Sequence, residues 1–214
     1  MSDLEYDNVE EQRHWNNEYA WVEHEHYWSD FFGGIDKLWN DIIYPKISNY
    51  LKGDVLEIAP GFGRITLYLK DKVGTLIIVD LNQLCIDKCK EKFGDTIKYY
   101  VNDGRHLDMI ESNSLDFVFS WDSFVHMDED VINCYLSEIN RVLKPGGHSV
   151  IHHSFLYGGN KKSFRNLGGR SNMTPSRFRE LAENNNLEVI SQEDIIWTVT
   201  DTITTIKKVN ERIS

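Results

Sequence analysis

Between residues 53 and 153, short runs of aliphatic and β-branched residues alternate with amphipathic stretches, and this alternation restricts the chain more than any other feature. Residues 55–59, 76–80, 97–101, 115–120 and 148–152 read as strands. The second contains the unbroken run Leu-Ile-Ile-Val that a strand covered on both faces needs. Residues 62–70, 84–93 and 130–143 carry helical spacing. Strands separated by helices in this way form a parallel sheet, because each parallel return requires a crossover. Thr174-Pro175 sets an N-cap residue before a proline at the first helical position, so a further helix is expected to residue 183. Residues 187–196 and 202–209 are β-rich runs joined by a short turn, which predicts a closing antiparallel pair. The expected class is α/β, with a mostly parallel sheet, helices on both faces and an antiparallel closing strand.

The first strand joins its helix through Val-Leu-Glu-Ile-Ala-Pro-Gly-Phe-Gly-Arg-Ile-Thr, residues 55–66. Gly61 and Gly63 let the backbone turn sharply and let a ligand approach main-chain atoms that a Cβ would cover. The position suits a nucleotide-like cofactor. Asp80 ends the second strand, where a carboxylate accepts hydrogen bonds from both ribose hydroxyls, and Asp103 follows the third, placed to take an exocyclic adenine amine. Each alone reads equally as a turn residue, since Asp is common in turns. Glu57, Asp80 and Asp103 together, at three successive strand ends, favour the cofactor. Two details choose which one. Thr66 stands where a dinucleotide fingerprint has its third glycine, and Glu57 ahead of the turn favours an ammonium group and opposes a pyrophosphate. S-adenosylmethionine is therefore expected in preference to NAD.

Composition sets the outer limits. A chain of 214 residues, 41% hydrophobic and 27% charged, suffices for one domain with a sizeable core and is short for two. Residues 1–52, rich in aromatics from Trp15 to Phe32, are expected to cap that domain with a helix over residues 35–51 that Pro45 weakens or kinks; residues 53–214 form its main body. No run nears the roughly 18 apolar residues of a membrane span. The N-terminus is acidic where a secretory signal is basic and then apolar, so a cytoplasmic protein is expected. Cys85, Cys89 and Cys134 lack a CxxC spacing and read as buried small residues. A net charge of -11 disfavours nucleic acid and anionic membranes. Residues 155–179 stand apart: they hold no Asp or Glu, but include Lys161, Lys162, Arg165, Arg170, Arg177 and Arg179, either a solvated basic loop or an anion-binding one.

The ordered segments LEIAPGFGRIT, IIVDLN, VNDGRHL, LDFVFSWDSFVHM and INRVLKPGGHSVIHH resemble the motifs of class I S-adenosylmethionine-dependent methyltransferases over residues 53–153. The resemblance implies a Rossmann-like seven-stranded sheet and methyl transfer from S-adenosylmethionine. It also implies cofactor contacts at Glu57, Ala59, Gly61, Gly63, Arg64, Asp80, Leu81, Asp103, Gly104, Arg105, Ser120 and Trp121. It does not choose a substrate. YWSDFFGGIDKLWNDIIYPKI and RNLGGRSNMTPSRF are, more loosely, similar to bacterial methyltransferases of sugars and surface polysaccharides. The chain departs from the family pattern at Pro60, where a second glycine is usual, with Ala59 before it.

Methyl transfer from a sulfonium asks the protein to align a nucleophile and, for a hydroxyl, to remove its proton. His126, just past the fourth strand, is the first candidate base; Asp122, four residues earlier, is expected to share a helical face with it and orient its ring. The plainer reading makes Asp122 a helix N-cap and His126 a half-buried histidine. His152 and His153 end the fifth strand and, being adjacent, face opposite sides, so at most one meets the substrate. His153 stands as the alternative base and His152 as a substrate contact. No ligand spacing among these groups demands a metal, and none is expected. Arg165, Arg170 and Arg177 are expected to hold a phosphate or carboxylate, with Trp28 stacking opposite. The expected reaction is O-methylation of a sugar or glycan precursor linked to a nucleotide or phosphate. The alternatives are N- or O-methylation of another small phosphorylated or carboxylated metabolite, and a non-catalytic cofactor-binding protein.

Overall fold

The computed structural model describes residues 27–155, 170–196 and 200–210, with Tyr27 and Trp28 described in backbone only. Its strands are β1 (Asp54–Ile58), β2 (Thr75–Asp80), β3 (Lys98–Val101), β4 (Leu115–Ser120), β5 (Leu143–Ser154), β6 (Leu187–Ile196) and β7 (Thr200–Lys208). They form one seven-stranded sheet in the order β3-β2-β1-β4-β5-β7-β6. β7 alone runs opposite to the other six strands. This is the mostly parallel sheet with an antiparallel closing strand that the alternation implies, with the seven Rossmann-like strands that the resemblance implies.

The helices are α1 (Tyr27–Asp30), α2 (Ile35–Leu38), α3 (Tyr44–Ile47), α4 (Thr66–Leu69), α5 (Gln83–Phe93), α6 (Glu129–Val142) and α7 (Pro175–Asn184). Pro45 has the expected effect: α2 and α3 are separated by a π-helical turn, Trp39–Ile43, because the proline cannot donate to the preceding turn and the ladder widens around it. Thr174 caps α7 by accepting a hydrogen bond from the Arg177 N–H.

Two expectations need correction. The helix expected over residues 62–70 shrinks to Thr66–Leu69, since Gly61 and Gly63 are both left-handed, at φ 57 and 79, and the intervening chain makes turns. The fifth strand, expected over residues 148–152, extends back to Leu143, so Pro145-Gly146-Gly147 lies inside β5. Leu143 pairs with Leu115, the register then shifts, and His148 pairs with Phe117. A bulge is where proline and a left-handed glycine, Gly146 at φ 78, are tolerated within a strand.

Alternate strand residues feed two cores. Leu56, Ile58, Val118 and Ile151 pack with α6 and α7 on one face. Val55, Phe117, Phe119 and Val150 pack on the other with α5 and with Leu38, Trp39, Ile43 and Ile47 of the N-terminal helical segment. That segment therefore covers the sheet face on which Glu57 and His152 also project.

Candidate active site

The chain leaves β1 toward β2 on one side and pairs β1 with β4 on the other, so the crevice beyond the carboxyl ends of β1 and β4 is where an open α/β sheet takes a ligand. The Ser120 hydroxyl ties the two ends together, donating to the Ile58 carbonyl at 2.9 Å. Ala59 then enters the turn with φ 57, a left-handed conformation unusual outside glycine. Asp80 closes the turn against β2: its carboxylate accepts from the Gly61 N–H at 3.2 Å and the Asn82 N–H at 2.8 Å. Gly63 could not be another residue without movement, because a Cβ there would lie 2.4 Å from Phe93 Cε2 and 3.1 Å from Cys89 Sγ. The close-packing glycine of the turn is thus Gly63. Thr66, in the place of a third glycine, donates instead to Glu57 at 2.6 Å.

Glu57 is 3% exposed, and burial pushes its carboxyl up from 4.5 to about 7, against the opposing bond from Thr66. Burial likewise raises Asp80 to about 6, despite its backbone N–H partners. Two carboxylates disfavoured as anions, flanking a left-handed turn, suit a ligand that brings an ammonium and ribose hydroxyls. The residues present therefore fit S-adenosylmethionine. Leu81 lines the same edge, packed toward Gly104, which is left-handed at φ 78.

Asp103 is less available than its position implies. Its Oδ1 accepts from the Arg105 and His106 N–H groups, its Oδ2 lies 2.6 Å from His106 Nδ1, and its side chain is 55% exposed. Slight burial opposes the shift, but these bonds hold its carboxyl below the usual range. Arg105 turns away to Asp130, at 2.6 Å.

On the β4 side, Trp121 and Asp122 leave the strand at a second left-handed position, Asp122 at φ 61. The expectation that Asp122 shares a helical face with His126 fails here: a left-handed residue cannot sit in a right-handed helix, and α6 begins only at Glu129, with Asp128 at its N-cap. Asp122 instead joins two arginines. Arg64 Nη2, from the cofactor turn, lies 3.3 Å from its Oδ2, while Arg64 Nη1 donates to Ser29 Oγ at 2.8 Å. Arg170 Nη2 lies 3.6 Å from its Oδ1. Arg170 is 5% exposed and principally paired with Asp201, at 2.9 Å. Burial alone would raise the Asp201 carboxyl, but His152 and Arg170 outweigh it and hold it at about 2.

The two adjacent histidines face opposite ways, as the strand requires. His152 accepts the Asp122 N–H on Nδ1 at 3.1 Å, presents Nε2 to Asp201 at 3.5 Å and stacks on Trp121 with ring centroids 4.2 Å apart. His153 lies in the opposite core, bonded to Thr204 Oγ1 at 2.8 Å and stacked on Phe178, and burial lowers it to about 3. His153 as a base is corrected on this ground: a fully enclosed, bonded ring on the far face reaches no acceptor. His126 is buried in the loop between β4 and α6. Arg177 is paired on the surface with Glu129 and Glu180, at 2.5 and 2.6 Å, so holding a phosphate would mean leaving two carboxylates. The Trp28 side chain and Arg165 lie outside the described residues.

Sequence reasoning missed Ser29 and Asp201. Ser29 carries no pattern of its own, but an acid in the β-rich run Thr-Asp-Thr-Ile-Thr-Thr-Ile is a legible anomaly, since Asp is depleted from strands. Among the described residues, no group of three or more His, Cys, Asp and Glu is arranged to hold a metal ion, and no helix is long and apolar enough to cross a membrane.

Residues 55–147 match the family model described as "Methyltransferase domain". Phosphoethanolamine N-methyltransferase 1 of Triticum aestivum is 29% identical over 150 residues, covering 68% of this chain and 29% of that protein, so the chain spans less than a third of its relative's length. Two solved structures share the fold. A putative sarcosine dimethylglycine methyltransferase from Galdieria sulphuraria superposes with a TM-score of 0.66 at 16% identity, covering 82% of this chain and 85% of that one. An S-adenosylmethionine-dependent methyltransferase from Mesorhizobium loti gives 0.64 at 14%, covering 77% and 96%. Sheet order, the geometry of the glycine-rich turn and the matching family model together make residues 55–147 similar to the methyltransferase domains of S-adenosylmethionine-dependent enzymes.

Proposed function

We propose that the chain transfers the methyl group of S-adenosylmethionine to a small anionic acceptor, and that the acceptor is the amine of a phosphorylated metabolite. The observation that carries this reading is the Asp122 carboxylate: buried beside the cofactor turn, with an Oδ1 that accepts no hydrogen bond from the described residues. Leaving a buried acceptor in that state costs about 1–3 kcal/mol, and an N–H from the acceptor molecule offsets it. A sugar hydroxyl, the acceptor expected from the sequence, also brings a hydrogen. The substrate class in the wheat relative's name supports the amine.

Bound S-adenosylmethionine supplies an already electrophilic methyl group, which leaves the chain to bind, orient and deprotonate. Glu57 receives the ammonium and Asp80 the ribose hydroxyls. Asp122 accepts an N–H and so aims the nitrogen lone pair. His126 takes onto its ring the proton that an ammonium must lose before it can attack. Lys161, Lys162 and Arg165 of the basic segment supply cations for the phosphate.

Incubating the full chain with methyl-labelled cofactor and separate panels of phosphoamines and nucleotide sugars tests the reading. Label should enter phosphoamines, and His126→Ala should lower turnover by about 100-fold, in keeping with loss of a general base. Label entering only nucleotide sugars would return the acceptor to a hydroxyl. Unchanged turnover in both His126→Ala and Asp122→Asn would remove the assigned base and aiming group.

A further inference from the structure

Asp122 is left-handed at φ 61, a conformation that aspartate tolerates better than most residues but still at some cost, and a contact from outside the turn supports it. Its backbone N–H is fixed by a side chain from a neighbouring strand, donating to His152 Nδ1 at 3.1 Å. A nitrogen that accepts from a backbone N–H carries a lone pair, so the proton of the neutral ring sits on Nε2, which faces the Asp201 carboxylate at 3.5 Å. His152 and Asp201 are both 0% exposed, and β5 pairs antiparallel with β7 beneath them, with His152 opposite Ile203 and Ser154 opposite Asp201. The ring is held flat by Trp121, at an interplanar angle of 21°, so the residue before Asp122 is clamped by the same imidazole.

We propose that Asp201 and His152 form a positioning pair that fixes the Trp121-Asp122 turn and thereby aims the Asp122 carboxylate at the methyl acceptor. The inference rests on the proposed role of Asp122, and it reassigns His152 from substrate contact to support. Asp201 fixes the tautomer and angle of His152, His152 fixes the Asp122 N–H, and the turn then presents the carboxylate between Arg64 and Arg170. Neither member of the pair needs to touch substrate. With Nδ1 occupied by a backbone donor, His152 is unsuited to act as the base, which leaves that task to His126.

The test compares His152→Phe with His152→Asn in the full chain. Phenylalanine keeps the stack on Trp121 and removes the acceptor; asparagine keeps an oxygen near the place of Nδ1 and loses the reach to Asp201. Three quantities are read: S-adenosylhomocysteine affinity by calorimetry, amide hydrogen exchange at Asp122, and kcat and KM for the acceptor methylated best. In His152→Phe, cofactor-product affinity should stay within about threefold, Asp122 exchange should quicken at least about tenfold, and kcat should fall about tenfold or more with a smaller change in cofactor KM. His152→Asn should recover part of both losses. Equal protection of the Asp122 amide in His152→Phe and the unsubstituted chain overturns the proposal, as does His152→Asn behaving no better than His152→Phe. If no acceptor is methylated by the unsubstituted chain, the functional reading fails by itself, and the exchange comparison still decides the positioning role.

Discussion

Burial holds the Glu57 carboxyl at about 7 and the Asp80 carboxyl at about 6, so both change charge close to neutral pH. A carboxyl raised in the folded state is protonated preferentially there. Between 4.5 and about 7 the folded chain thus binds more protons through Glu57 than the unfolded one, and stability falls as pH rises. S-adenosylhomocysteine brings the ammonium that the ionised carboxylate lacks. Its thermal stabilisation of the protein should therefore be larger at about pH 8 than at about pH 6, by about 1.4 kcal/mol for every tenfold gain in affinity, and Glu57→Gln should flatten the difference. An equal stabilisation at both pH values would show that Glu57 does not meet the ammonium. Gly63→Ala belongs at the same scale. With Phe93 at 2.4 Å from the new Cβ and φ at 79, denaturant unfolding should show a loss of about 2–4 kcal/mol, from overpacking and left-handed strain together.

At the scale of elements, what periodicity and caps announce is legible in the sequence, and what tertiary contact decides is not. The strand 115–120 and the helix opened by Thr174-Pro175 follow from local rules, and Thr174→Ala should accordingly cost about 1 kcal/mol in thermal unfolding as the cap to Arg177 is lost. The shortened α4 and the bulge in β5 escape such rules because the same glycines that end a helix also make turns and bulges, and sequence alone does not say which. For the site, Glu57, Asp80 and Gly63 can be placed because each has a fixed relation to one strand end. Asp122 and His126 share a spacing that fits a helix, but the backbone at Asp122 is left-handed and its N–H donates to His152, thirty positions away. Contacts of that range leave no periodic trace.

At the scale of the molecule, a chain of one hydrogen bond and three ion pairs links parts that the sequence presents as unrelated. Ser29 in the cap, Arg64 in the cofactor turn, Asp122 after β4, Arg170 after the basic segment and Asp201 in β7 are successive members of it. Asp201→Ala leaves Arg170 buried with its main partner gone, and global unfolding should show a loss of about 3–5 kcal/mol. A loss near zero would mean that solvent already reaches the guanidinium. The same chain joins the cofactor half of the crevice to the proposed acceptor half, which is the arrangement that transfer between two bound small molecules requires. The most direct measurement is therefore transfer itself: the purified chain, labelled S-adenosylmethionine and a phosphoamine, with product followed over time in the unsubstituted protein and in Asp122→Asn. The label should appear on nitrogen at a rate that falls at least about tenfold in the variant; tight cofactor binding with no transfer to any phosphoamine or nucleotide sugar would contradict the proposed activity and leave a cofactor-binding protein in its place.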